Sequence, residues 1–143
     1  MNTLHVLLAD DDVDDCLLFR DALKELAAPI ALHTVNNGEQ LMKTMAANDR
    51  LPDLLFLDLN MPRKNGLECL TELMANERTR KVPVIIISTS FNFDVVNLLH
   101  EKGARYYIRK PEEFENLKSV IQKGLHAATH TENVALSQFV LHP

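Results

Sequence analysis

The stretch LLFLDL, residues 54–59, is apolar at every position except Asp58. A strand with one exposed face alternates apolar and polar side chains, so a run without alternation indicates a strand that is buried on both faces. Asn60, Met61-Pro62 and a loop to Gly66 follow it. The sequence therefore predicts a central strand of a parallel sheet with a carboxylate at its carboxyl end.

Four further runs have the composition of strands, and segments with apolar residues at helical spacing lie between them. The strand-like runs are residues 5–9, 30–35, 82–88 and 105–108, of which 30–35 is the weakest. A last helix is predicted from residue 114 to about residue 128. Strands that alternate with helices require right-handed crossovers, which place helices on both faces of a parallel sheet. The predicted fold class is therefore a doubly wound α/β domain.

One domain and a short tail account for the 143 residues. A chain of this length with 46% hydrophobic residues has room for one core, so residues 1–128 are predicted to form one domain. The tail, residues 129–143, is too short for an output domain and too apolar for a solvated end. Its apolar residues are Val134, Leu136, Phe139, Val140 and Leu141. We expect the tail to dock on the domain or on a partner.

Composition argues against several classes of function. The net charge is -5 and no block of Lys or Arg is longer than the pair Arg109-Lys110, so no nucleic-acid-binding surface is expected. The early apolar runs are short and no cleavable leader precedes them, so neither a membrane span nor a secretory signal is expected. We expect a cytoplasmic protein in which Cys16 and Cys69 are reduced and packed in the core.

Polar residues follow four of the predicted strands. Ligands of open α/β sheets bind at the carboxyl ends of the strands, and these ends carry Asp10 and Asp11, Asp58, Ser88 and Lys110. Carboxylates about 4 Å apart repel each other by about 1 kcal/mol in water and by more in a partly buried site. A bound Mg²⁺ ion would compensate this repulsion. A lysine and a hydroxyl beside them would contact a phosphoryl group, with Asp58 as the nucleophile that carries it.

The five aspartates between positions 10 and 15 divide into two groups. Asp10 and Asp11 are assigned to the metal site. Asp12, Asp14 and Asp15 are assigned to the first turn of a helix, because the partial positive charge of a helix start favours acidic side chains. The crowding therefore predicts a magnesium site followed by a helix start.

The motifs LADDD, LDLNMPRKNG, VIIIS and YYIRKP, in this order, resemble the receiver domain of two-component response regulators. The resemblance covers residues 4–127. It implies a five-stranded parallel sheet in the flavodoxin-like order 2-1-3-4-5, and a phosphoryl group accepted from a histidine kinase or phosphotransfer protein. It also implies a switch that signals to a downstream protein and is not an enzyme beyond slow autodephosphorylation. With no output domain after the last helix, the chain is similar to small single-domain regulators that include phytochrome partners. The resemblance therefore implies a monomer or a homodimer.

The resemblance also implies a role for each residue of the site. The matching residues are the phosphoacceptor Asp58, the Mg²⁺ ligands Asp10 (largely through water), Asp11, Asp58 and Asn60 (through its backbone carbonyl), and the phosphoryl contacts Ser88 and Lys110. Two-residue alternation along the fourth strand favours Ser88 over Thr89 for this role. Tyr107 corresponds to the aromatic switch residue, and Pro111 to a proline that follows a cis peptide bond.

A calcium site is one alternative for the acidic cluster. Asp10, Asp12, Asp14 and Asp21 have the spacing of an EF-hand loop. Asp15, however, stands where the loop requires glycine, and a strand rather than a helix is predicted before it.

Two further alternatives remain at the sequence level. Asp10 and Asp12 match the DxD motif of haloacid dehalogenase phosphatases, although the chain lacks the length of their cap and core. His126 and His130 are four positions apart and could bind a metal, but the end of a helix also favours their partial positive charge.

Overall fold

The computed structural model describes residues 3–129 and 134–143. The strands are β1 (Leu4–Ala9), β2 (Ile30–Val35), β3 (Leu54–Asp58), β4 (Val84–Ser88), β5 (Tyr106–Arg109) and β6 (Val140–Leu141). The helices are α1 (Val13–Glu25), α2 (Gly38–Ala47), α3 (Gly66–Ala75), α4 (Phe93–Glu101) and α5 (Phe114–Ala128), and a 3₁₀ turn (Leu136–Gln138) precedes β6. His130, one of the two histidines considered as metal ligands, lies outside the described residues.

Within the described residues, the sheet has six parallel strands in the order β2-β1-β3-β4-β5-β6. The predicted doubly wound class and the order 2-1-3-4-5 are confirmed. Ala9 at the end of β1 pairs with Leu57, and Asp58 at the end of β3 pairs with Ile87. This register brings the residues that follow the strands to the same edge of the sheet.

β3 lies inside the sheet, and all of its residues are buried. Leu55 and Leu57 belong to the core on one face, which α2, α3 and α4 cover. Leu54 and Phe56 belong to the core on the other face, which α1 and α5 cover. Burial of each large apolar side chain contributes about 1.5–3 kcal/mol. An unbroken apolar run is therefore what this position requires, as the sequence predicts.

Asparagine or aspartate side chains cap the amino ends of α1 to α4. Asp12, Asn37, Asn65 and Asn92 each accept a hydrogen bond from the backbone N–H three residues further along the chain. Such a cap typically contributes about 1 kcal/mol. Because the four caps follow β1 to β4 in turn, they determine where the loops at that edge of the sheet end.

The tail adds a sixth strand of two residues beside the five strands that the sequence predicts. Val140 pairs with Tyr107 and Leu141 with Ile108, and the N–H of Tyr107 donates to the carbonyl of Phe139 at 3.0 Å. Phe139 is 0% exposed and packs in the same core as Tyr107. A strand of two residues is too short to show a periodic pattern in the sequence. Its pairing depends on the burial of Phe139, which is a tertiary contact.

Two features of the described residues bear on the class of protein. No helix within them is long and apolar enough to cross a lipid bilayer. Cys16 and Cys69 are buried and form no disulfide. Burial raises the pKa of both thiols to about 11, so they stay protonated at neutral pH and pack as small apolar groups.

Candidate functional site

Four polar side chains gather where β1, β3, β4 and β5 end. Asp10 follows β1, Asp58 and Ser88 are the last residues of β3 and β4, and Lys110 follows β5. Asp10 is 2% exposed, Asp58 5% and Ser88 0%. Charged groups are buried to this extent only when partners replace the water they lose. The contacts of these residues therefore indicate their chemistry.

Three carboxylates in this cluster could hold a metal ion. One ligand oxygen each from Asp10, Asp11 and Asp58 lies within 4.8 Å of the others. Oδ1 of Asp10 accepts a hydrogen bond from the N–H of Asp12 at 3.0 Å, and its Oδ2 contacts Lys110. Asp11 is exposed. A small set of oxygen ligands suits a hard divalent cation, so the residues present fit such an ion.

The ammonium group of Lys110 is the positive charge of the site. Its Nζ lies 2.8 Å from Oδ2 of Asp10, 2.8 Å from Oδ2 of Asp15 and 3.9 Å from Oδ2 of Asp58. Burial lowers the pKa of Lys110. Two effects raise it by more, namely the hydrogen bonds to Asp10 and Asp15 and the negative charges of Asp10 and Asp58, so the pKa lies above its usual value. Lys110 therefore remains protonated at physiological pH.

Asp15 was not among the predicted site residues. The sequence assigns it to the start of α1, and it does lie in the first turn of that helix. Its carboxylate nevertheless reaches Lys110, which is 95 positions away in the chain. No spacing rule connects residues so far apart, so only the folded structure reveals this contact.

Asp58 titrates far from the usual range of an aspartate. Burial raises its pKa, the charge of Lys110 lowers it, and the charge of Asp10 raises it, which leaves the pKa at about 7 without a metal ion. A cation beside the carboxylate would favour its ionised form. The ionised form is the one that can act as a nucleophile.

Ser88 and Tyr107 are connected through Ser90. The hydroxyl oxygens of Ser88 and Ser90 are 3.1 Å apart, and the N–H of Ser90 approaches the hydroxyl of Ser88 at 3.3 Å. The Tyr107 hydroxyl donates to the carbonyl of Ser90. Tyr107 is buried, which raises its pKa, and its ring meets that of Phe91 edge to face at 5.8 Å. The aromatic ring therefore points inward in this structure.

The loop between β3 and α3 folds back onto Asp58. The N–H of Gly66 donates to the carbonyl of Leu59 at 2.9 Å, and the N–H of Asn60 faces Oδ1 of Asp58 at 3.4 Å. A Cβ atom on Gly66 would overlap the carbonyl oxygen of Asp58 and lie 2.8 Å from Cα of Leu59. Arg63 in the same loop has a φ of 69°, which is uncommon for a residue other than glycine. The loop is therefore tightly fitted around the end of β3.

The remaining residues singled out in the sequence lie outside the cluster or differ from expectation. Asp12 is exposed and caps α1, and Thr89 is exposed beside the buried Ser88. The EF-hand alternative is wrong, because a strand (Leu4–Ala9) precedes the acidic cluster. The peptide bond before Pro111 is trans, as are the others in the described residues, whereas the resemblance implies a cis bond there.

Known proteins are similar in sequence to this chain over most of its length. A family model described as the response regulator receiver domain matches residues 6–122. Response regulator Rcp1 from Synechocystis sp. is 30% identical over 122 residues, which cover 82% of this chain and 83% of Rcp1. A probable chemotaxis protein CheY from Rhizobium etli is 31% identical over 119 residues, which cover 83% of this chain and 90% of that protein.

Solved structures share the fold. The phosphorylated cyanobacterial phytochrome response regulator RcpA has a TM-score of 0.80 at 31% identity, with 87% of this chain and 92% of RcpA covered. The Mn(2+)-bound form of response regulator Rcp1 also has a TM-score of 0.80, at 27% identity, with 92% of this chain and 99% of Rcp1 covered. The motifs, the strand order and these relatives agree, and the chain belongs to the response regulator receiver domain family of two-component signalling.

Proposed function

We propose that this chain is a phosphorelay switch in which Asp58 accepts a phosphoryl group from a phosphohistidine of a histidine kinase or phosphotransfer protein. The observation that best supports this is the buried Asp58 carboxylate, which lies within 4.8 Å of ligand oxygens of Asp10 and Asp11 and 3.9 Å from the ammonium group of Lys110. A nucleophile, a place for a cation and a fixed positive charge are the parts that phosphoryl transfer requires. The chain acts as a phosphoacceptor and turns over no substrate beyond slow loss of its own phosphoryl group.

In the transfer step, an Oδ atom of ionised Asp58 forms a bond to phosphorus while the bond between phosphorus and the histidine nitrogen breaks. The histidine leaves with the electrons of that bond. Asp10, Asp11, Asp58 and the backbone carbonyl of Asn60 would hold Mg²⁺, which when bound neutralises charge on the phosphoryl oxygens. A Mn(2+)-bound form of the relative Rcp1 has been solved, which supports divalent-cation binding by this chain as well.

Lys110 and Ser88 are the groups that we assign to the other phosphoryl oxygens. The ammonium group is 3.9 Å from Oδ2 of Asp58, beyond hydrogen-bond distance, so an oxygen of a phosphoryl group on Asp58 could accept a hydrogen bond from it. A phosphoryl group adds about -1.5 to -2 units of charge. This charge would draw the Ser88 hydroxyl away from Ser90, whose carbonyl accepts from Tyr107. Tyr107 and the loop before α4 would then change position together.

We also propose that residues 1–128 act as the receiver domain and residues 129–143 as a tail that docks on it. Two contacts support this division. Nε2 of His100 in α4 is 2.7 Å from the carbonyl of Val134. Nζ of Lys123 in α5 donates to the carbonyl of His142 at 2.8 Å.

Residues 134–143 of the tail lie along the face formed by α4, β5 and α5, which we assign to the downstream protein. Tyr107, the residue that we assign to the switch, is in β5 and pairs with β6. Phosphorylation would therefore change the conformation of the surface that the tail covers. The tail and the downstream protein would therefore share one binding surface. In this proposal the protein acts in the cytoplasm, as a monomer or a homodimer.

Acetyl phosphate with Mg²⁺ tests the phosphoacceptor directly. Intact-mass measurement should show one added phosphoryl group on the wild-type chain and none on Asp58→Asn, because the amide is a much weaker nucleophile than the carboxylate. Asp14→Asn, which removes an exposed carboxylate from the first turn of α1, is the matched control and should be modified like the wild type. Modification of Asp58→Asn at the wild-type rate would contradict the proposal.

A further inference from the structure

The contact between Lys110 and Asp15 has no part in the transfer step described above. Lys110 follows β5, Asp15 lies in the first turn of α1, and Nζ of the lysine donates to Oδ2 of the aspartate at 2.8 Å. We propose that Asp15 is a positioning residue that holds the ammonium group of Lys110 away from Asp58, so that a phosphoryl oxygen can enter between them. This inference rests on the proposed function of Asp58.

Three carboxylates compete for the ammonium group of Lys110. Asp10 and Asp15 are both within hydrogen-bond distance of Nζ, whereas Asp58 is at 3.9 Å and beyond it. Opposite charges attract strongly in a site with little water, and the lysine side chain is only 11% exposed. The position of Nζ is therefore a balance in which Asp15 pulls against Asp58.

Loss of the Asp15 charge would shift this balance. The ammonium group would keep its bond to Asp10 and move toward Asp58, the nearest remaining carboxylate. A direct hydrogen bond between Lys110 and Asp58 would occupy a carboxylate oxygen of the nucleophile and the space that the phosphoryl oxygens need. Phosphoryl transfer would then require displacement of the ammonium group first, and correct placement of reacting groups accounts for much of the rate of such reactions.

The start of α1 does not require the Asp15 carboxylate. Asp12 is the N-cap residue and Asp14 is a second acidic residue of the first turn. Asp14 is exposed, and no ion pair joins it to Lys110 in the part of the chain that the structure describes. Asp14→Asn therefore removes the same charge from the same helix end without removing the contact to Lys110.

The test compares Asp15→Asn with Asp14→Asn in the phosphorylation of the full chain by acetyl phosphate at saturating Mg²⁺. Variation of the donor concentration separates the maximal rate from the half-saturating concentration. We expect the maximal rate of Asp15→Asn to be about tenfold below that of Asp14→Asn. The half-saturating concentrations should agree within about twofold, because the two variants have the same net charge. Asp15→Glu keeps a carboxylate within reach of Lys110 and should recover most of the rate.

Several results would overturn the positioning role. One is an equal maximal rate for the two asparagine variants. Another is a rate of Asp15→Asn that returns to normal when Mg²⁺ is raised above the concentration that saturates the wild type, because Asp15 would then act on metal binding. Thermal unfolding gives the folded fraction of each variant. If the difference in maximal rate between Asp15→Asn and Asp14→Asn vanishes when rates are expressed per folded molecule, the positioning role is also overturned. A wild-type chain that takes up no phosphoryl group would instead contradict the proposed function of Asp58.

Discussion

Asp58 is held in a site that disfavours its charge before any ion or phosphoryl group is present. Its pKa of about 7 in the folded chain lies above the ordinary value of 3.8, so the folded state binds a proton at Asp58 more tightly than the unfolded state does. The stability that this proton contributes is complete below about pH 3.8 and is lost as the pH rises to about 7. At neutral pH the buried carboxylate therefore destabilises the metal-free fold.

We predict that Asp58→Asn raises the melting temperature in metal-free buffer, and by more at about pH 8 than at about pH 5. The increase reflects up to a few kcal/mol, because one unit of pKa shift corresponds to about 1.4 kcal/mol. Addition of Mg²⁺ at the higher pH should narrow the difference, because the cation binds the wild-type carboxylate. Thermal unfolding followed by circular dichroism measures both effects. Asp14→Asn is the control, and a difference that is independent of pH would count against a buried, protonated Asp58.

The loop between β3 and α3 shows how a whole element depends on one small residue. Gly66 begins α3 directly against the backbone of β3, where a side chain would meet atoms that cannot rotate away. We predict that Gly66→Ala destabilises the fold by about 1–3 kcal/mol, because the helix start must move off Asp58. Urea unfolding measures this change.

Gly124→Ala is the matched control for this prediction. A Cβ atom at Gly124 would meet the end of the Ile85 side chain at 3.0 Å, which can adjust, and alanine favours the helix interior by about 1 kcal/mol relative to glycine. The stability of this variant should change much less. Equal losses in the two variants would show that contact with the backbone of Asp58 is not the cause.

β6 and the turn before it are anchored by one aromatic side chain. Phe139 is fully buried, and its carbonyl accepts the hydrogen bond from the N–H of Tyr107. We predict that Phe139→Ala releases the tail, so that the amide of Tyr107 exchanges with solvent faster while amides of β3 keep their protection. Hydrogen exchange measured by NMR resolves both regions. Leu136→Ala truncates an exposed side chain of the same segment and, as the control, should leave the Tyr107 amide protected. A Phe139→Ala variant in which the Tyr107 amide also stays protected would show that the tail does not depend on this anchor.

At the scale of the whole molecule, the features that could be predicted are those that repeat or that occupy defined ends of elements. The predicted ranges 30–35 and 114–128 coincide with β2 and α5, because apolar periodicity defines both. The strand-end rule placed Asp10, Asp58 and Lys110 together without any distance information. β6 and the contact of Asp15 with Lys110 were missed because each depends on packing between distant parts of the chain. Neither leaves a local pattern.

The position of β6 also bears on how separate molecules behave toward each other. Without it, β5 would be an edge strand whose free backbone N–H and carbonyl groups could pair with any extended chain. Exposed edges of this kind promote aggregation, and natural sheets limit them by covering them or by making the outermost strand very short. β6 does both, since it covers β5 and is itself only two residues long. The tail therefore helps to keep this sheet from growing into a neighbouring copy at high protein concentration.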